Sequence, residues 1–177
     1  STVEDFSVPQ EDDSPHQNTP MRTWTLPSTT DAMPASDMAQ ASGMAQASTL
    51  LAGLVEHLGQ SRFAQAALEQ LSAIAPTASL SVYRIGNCRP RLFLSASQGV
   101  ADTTRQCWSA YLSGPQHEDR SWGQEWPGHM RTPGARNLVH VQAYEVTPLH
   151  RQCVYDAHGV AERISIAEPG ADGSVFA

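Results

Sequence analysis

The chain has 177 residues, 40% hydrophobic and 16% charged, which suits one soluble domain of ordinary size or a smaller domain with a long tail. It has no apolar run long enough for a spanning helix, and its acidic start, Ser1 to Asp13, lacks the apolar core of a secretory signal. Eleven basic residues, all Arg, stand against 18 acidic ones for a net charge of −7, which excludes non-specific phosphate-backbone binding, while the missing Lys excludes Schiff-base and Walker-type chemistry.

Residues 1–48 hold seven acids against Arg22 alone, and are rich in Pro, Ser, Thr and Gln. So little apolar surface does not offset the entropy of ordering, so this part reads as a disordered, flexible arm ahead of a domain at 49–177. Two features of the arm favour docking. Trp24 and Leu26 form an apolar pair, and the duplicated Met38-Ala-Gln-Ala-Ser42 and Met44-Ala-Gln-Ala-Ser48 would extend a helix.

From Ser48, a suitable N-cap, Leu50, Leu51, Leu54, Val55 and Leu58 recur at helical spacing up to Gly59. Ser61 opens a second helix, with Phe63, Ala67, Leu68, Leu71 and Ile74 on one face and Pro76 at its end. A hairpin follows: Leu80, Val82 and Ile85, a turn at Gly86-Asn87, then Leu92, Leu94 and Ala96. Val100 to Leu112 reads as a helix. Gly114 to Asn137 is a Gly/Pro-broken loop carrying His117, Trp122, Trp126 and His129, of a length that is usually functional or mobile.

Leu138 to Val146 is a strand. Thr147-Pro148 then starts a helix in the favoured cap-then-Pro order, and Gly159 ends it. Val160, Ile164 and Ile166 mark another strand, with Pro169 to Gly173 a turn and Ser174 to Ala177 the start of a last strand. This order predicts an α+β fold: an antiparallel sheet with helices packed on its faces.

Cys88, Cys107 and Cys153 are odd in number and widely spaced, which favours a reducing, cytoplasmic setting over a disulfide scaffold. His150, Cys153 and His158 share one predicted helix, but no second ligand pair accompanies them. They read as a half-buried thiol with capping or surface imidazoles, and no metal or cofactor is expected. Glu145, Asp156 and Glu162 read as ion-pair partners of Arg151 and Arg163, and no nucleophile motif points to an enzyme. Trp108, Tyr111, Trp122, Trp126 and Tyr144 are the candidate lining of a small-molecule pocket closed by the 114–137 loop.

Particular stretches carry a family resemblance. They are Ser81 to Ser97, with Tyr83-Arg84 and Arg89-Pro90-Arg91-Leu92, and the run His140 to Tyr144, Glu145, His150-Arg151, Tyr155 and His158-Gly159. Glu162-Arg163-Ile164-Ser165 and Asp172-Gly173-Ser174 complete the set. Over residues 49–177 the chain resembles the N-terminal sensor domain of LuxR-type bacterial transcriptional regulators. The resemblance implies a GAF/PAS-like or autoinducer-domain-like sandwich that senses a small ligand or binds a partner. In that family the last strand leads on to a helix-turn-helix, which is missing before the sequence ends at Ala177, so direct nucleic-acid binding is not expected.

The reading is therefore a ligand-sensing or signalling module, with a protein-interaction factor or secreted effector as its alternative and a small enzyme third. Val175 and Phe176 are the candidate interface, because a short terminal strand left as a free sheet edge would recruit a second copy or a regulator of similar fold.

Overall fold

A computed structural model describes residues 21–26, 37–99, 101–122 and 126–177. The expectation for Val100 lies outside them, as do those for most of the first 36 residues. The elements in chain order are β1 (Arg22–Thr25), α1 (Asp37–Glu56), α2 (Phe63–Ser72), β2 (Ser79–Gly86), β3 (Arg91–Ser97), α3 (Thr103–Leu112), β4 (Asn137–Gln142), β5 (Glu162–Pro169) and β6 (Ser174–Phe176). Between β4 and β5 runs a helical segment, Pro148 to His158.

The fold is α+β. One six-stranded sheet has the order β1-β4-β5-β6-β2-β3, and every pairing is antiparallel. Helices α2 and α3 lie against β2 and β3, and α1 lies on α2. The third helix starts at Thr103, where Asp102, not singled out in the sequence, caps α3 by accepting from Arg105 N–H at 3.0 Å. Thr147 caps the helical segment with Pro148 in its first turn.

Two stretches of the expected arm belong to elements. Arg22 to Thr25 pair with His140 to Asn137, and Leu26 N–H donates to the Arg136 carbonyl at 2.8 Å. The first helix begins at Asp37 rather than Ser48. Its predicted core face is only partly buried. Leu50 and Leu54 turn inward, whereas Leu51, Val55 and Leu58 are exposed, together with Ile74 after α2.

In β5 the isoleucines that mark the strand stand outward. Ile164 and Ile166 are 66% and 59% exposed, and Arg163, Ser165 and the fully buried Ala167 take the other face, Arg163 against Trp122 and Ala167 in the core. Successive residues of a strand alternate between faces, so one inward Ala fixes both isoleucines outward.

The free-edge expectation for Ser174 to Ala177 does not hold. β6 is an interior strand: Val175 opposes Ile85 on β2 and Pro169 on β5, and Ala177 exchanges two backbone hydrogen bonds with Tyr83, at 2.7 and 2.9 Å. Val175 is consequently buried in the core, and Phe176 stands on the outer face, 5.6 Å from Phe93 between ring centroids. The close approach of β6 requires glycine at position 86. With φ at +94°, a Cβ there would lie 2.6 Å from the Gly173 carbonyl oxygen.

Candidate functional site

The core beneath the sheet is aromatic and charged at once. The bulge in β2 between Val82 and Tyr83 turns Tyr83 inward, where its ring meets Trp108 from α3 at 5.2 Å and Trp122 edge-on at 5.9 Å. Trp108 stacks on Tyr111 at 5.9 Å. Trp122, Trp126 and Tyr111 are buried and Trp108 packs against them, so four of the five predicted lining residues meet in one cluster. Tyr144 does not join them and is exposed. Tyr83 packs against both Trp108 and Trp122, and Trp108 against Tyr111, ring on ring.

At the centre of this cluster is a pair that the sequence reading missed. Arg163 lies over the Trp122 ring, with its guanidinium carbon 4.6 Å from the centroid, and its Nη1 is 3.7 Å from Asp119 Oδ2. The Asp119 side chain is 1% exposed and that of Arg163 is 21% exposed, yet Arg163 Nε and Nη2 are sealed from solvent and have no hydrogen-bond partner. Asp119 Oδ1 accepts from the Ser121 backbone N–H at 2.9 Å and from the Ser121 hydroxyl, an Asx-type turn that aims Oδ2 away. Burial raises the Asp119 pKa, but Arg163, Ser121 and the nearby His150 outweigh it and hold the carboxyl below its ordinary value. Burial pushes the Tyr83, Tyr111 and Tyr155 phenols up, so all three stay protonated.

His150 comes to this cluster through an irregular helix. Residues five apart in an α-helix point about 140° apart, too far for His150 and Tyr155 to share a face. Arg151 to Tyr155 form a π-turn, which is wider, and brings the two rings to 5.4 Å in a T-shaped contact. His150 also packs on Tyr111 at 5.4 Å. It is buried, not a surface cap, and neither ring nitrogen has a partner. Burial, chiefly, lowers its pKa and keeps the imidazole neutral.

A cavity of about 30 Å³ opens beside the pair, lined by Met21, Glu118, Asp119, Arg120, Glu145, Val146, Thr147 and His150. None of the five predicted aromatics lines it. Three of its wall residues carry buried atoms that make no hydrogen bond: Asp119 Oδ2, which has only its ion pair with Arg163, Glu145 Oε1, and both nitrogens of His150. Glu145 Oε2 is engaged, accepting from the Gln142 backbone N–H at 2.6 Å in a capping box, so Oε1 is held in place.

Other candidates dissolve on inspection. The Ser121 hydroxyl donates to Asp119 and not to His150, so the three residues do not form a nucleophilic relay. Cys107 is pushed up by burial, away from a reactive thiolate. Of the expected ion pairs, Arg151 with Asp156 forms at 3.4 Å, whereas Glu162 pairs with His140 at 2.8 Å. Among the described residues no group of three or more His, Cys, Asp or Glu is placed to hold a metal ion, and no helix is long and apolar enough to cross a membrane.

The class these observations define is an α+β domain with one helix-covered sheet face and a charged, aromatic core. No protein-family model matches the chain, and neither a curated protein nor a solved structure matches it.

Proposed function

We propose that the chain is a ligand-sensing or signalling regulatory module of the kind the LuxR-type sensor domains represent, acting without DNA contacts of its own. One observation carries the proposal: a small cavity is walled by residues whose buried polar atoms, on Glu145 and His150 and on the Arg163-paired Asp119, make no hydrogen bond within the described protein. Unpaired buried polar atoms each cost about 1–3 kcal/mol, so a fold that gathers several around one cavity gains that energy back when a ligand supplies the missing partners. Glu145, Thr147 and His150 belong to the stretch from β4 into the irregular helix, so occupancy would bear on the end of that strand and on the Tyr155 contact.

The test is NMR of the His150 ring during titration with a panel of small metabolites. A saturable shift, absent in Asp119→Asn, supports the proposal. A ring signal unmoved by every compound counts against it.

A second reading, a protein-interaction factor, is favoured by the outer face of the sheet. Trp24, Leu138 and Ile166 form one cross-strand row, with Ile164 beside it and Phe93 and Phe176 further along; all but the half-buried Leu138 are exposed. Such a patch marks association. Light scattering on the intact chain and on Ile164→Asp/Ile166→Asp tests it, because a partner-free monomer in both would remove the need for a covered face.

A further inference from the structure

The outer face of the sheet ends, on its β6-β2-β3 side, in a patch that is both basic and aromatic. Glu168, Phe176, Arg84 and Arg91 form one cross-strand row there, over β5, β6, β2 and β3. The rings of Phe93 and Phe176 meet at 5.6 Å yet remain 46% and 47% exposed. Arg84 and Arg91 stand directly opposite each other, and like charges so placed work against the strand pairing unless anions lie near. Asp172 meets Arg84 at 3.9 Å, but both side chains are well exposed, so water screens the pair. Arg91 lies over the Phe93 ring at 4.7 Å, and Arg89 is exposed in the turn between the two strands. Among the described residues neither Arg89 nor Arg91 has an acidic partner. The acids of the face itself are Glu168 and Glu162, and His140 already holds Glu162 at 2.8 Å.

The chain carries a segment of matching chemistry. Residues 1–20 hold Glu4, Asp5, Glu11, Asp12 and Asp13 and no Arg, with Val3, Phe6 and Val8 set among these acids. The segment joins the sheet at Met21, beside the edge strand β1, and β3 is the opposite edge. Five strand spacings put that edge about 24 Å away. Phe6 precedes Met21 by fifteen residues, which reach up to about 50 Å when extended. The segment is therefore long enough to cross the face, and the route passes the exposed Trp24 and Ile166.

We infer that residues 4–13 dock within the same chain on the outer sheet face, at Arg84, Arg89, Arg91, Phe93 and Phe176. Phe6 and Val8 pack on the two phenylalanines, and the carboxylates on either side pair with the arginines. The inference goes beyond the ligand-sensing reading and does not depend on it; it names an occupant for the face that the association reading leaves open. Tethering lets a weak contact suffice. At an effective concentration of about 1 mM, a contact with a Kd of about 0.1 mM keeps about 90% of the chains docked.

The test is cleavage of the full chain by a glutamyl endopeptidase, with a synthetic peptide of residues 1–20 in the same tube as the unprotected standard. Cutting after Glu11 should start about tenfold slower in the chain than in the peptide, and the ratio should be the same at about 5 and 100 μM protein. Arg84→Ser/Arg91→Ser should restore the peptide's rate while circular dichroism shows an intact fold. Phe6→Ser, which leaves the sheet untouched, should do the same. Cutting of the unmodified chain at the peptide's rate would overturn the inference. So would protection that survives either change in a folded protein, which would put the segment elsewhere. Protection that grows with protein concentration would overturn it too, by making the occupant a second copy. None of these results touches the His150 titration, so the sensing reading stands or falls separately.

Discussion

Arg163 is seated on Trp122, 4.6 Å from guanidinium carbon to ring centroid, and reaches past it to Asp119 at 3.7 Å. The two contacts explain each other. A buried carboxylate needs a cation, and a buried guanidinium needs a surface that tolerates its flat, weakly hydrated faces.

Removing one member of this pair therefore exposes the cost of the other. Arg163→Met should destabilise by about 3–5 kcal/mol in urea unfolding, because Asp119 is left charged in the core. The double change Arg163→Met/Asp119→Asn should recover part of that loss. A single-mutant loss below about 1 kcal/mol would mean the pair is effectively solvated.

Acid should weaken the fold in two windows. His150 has a folded pKa below its ordinary 6.5, so the unfolded chain takes up its proton first and stability declines as pH falls below that value. Asp119 has a folded pKa below its ordinary 3.8; its contribution is present above that value and is lost as pH falls through the lowered one. His150→Phe keeps the aromatic contacts with Tyr111 and Tyr155 and should flatten the slope of Tm against pH between 7 and 5. An unchanged slope would assign that dependence elsewhere.

Position 86 should tolerate no side chain. Gly86→Ala places a Cβ 2.6 Å from the Gly173 carbonyl oxygen at φ +94°, and should cost about 1–3 kcal/mol. Gly134→Ala has a comparable φ of +82° with nothing within 4 Å of its Cβ, so calorimetry should show a smaller loss there. Equal losses would mean that φ alone, not the approach of β6 to β2, sets the cost.

The outward isoleucines of β5 have their own signature. Ile164→Thr and Ile166→Thr should each change stability by no more than about 0.5 kcal/mol in a monomer. Val141→Ala on the neighbouring strand, where the side chain is fully buried, should cost about 2–3 kcal/mol. Comparable losses at all three would show that the isoleucines are covered.

Much of the architecture was legible from local chemistry. Thr147 announces a helix start because a short side-chain oxygen meets free N–H groups, whatever lies around it. The Gly86-Asn87 turn and the antiparallel α+β order follow from spacing and residue type in the same way. Periodicity does not say which face of a strand is covered. Ile164 and Ile166 alternate as a core face would, and only the contact of Arg163 with Trp122 and the burial of Ala167 in the core show which residues are inward. The place of β6 inside the sheet, between its hairpin neighbour β5 and the distant β2, depends on a long-range pairing with β2 that no local pattern encodes. The candidate site was hidden for the same reason. Asp119 is on a loop, Glu145 and His150 lie on a turn and a helix that look solvent-facing, and Arg163 is on a strand. Their partnership is decided by burial, which makes unpaired charge costly and so draws carboxylate, guanidinium and imidazole together only once the chain has folded.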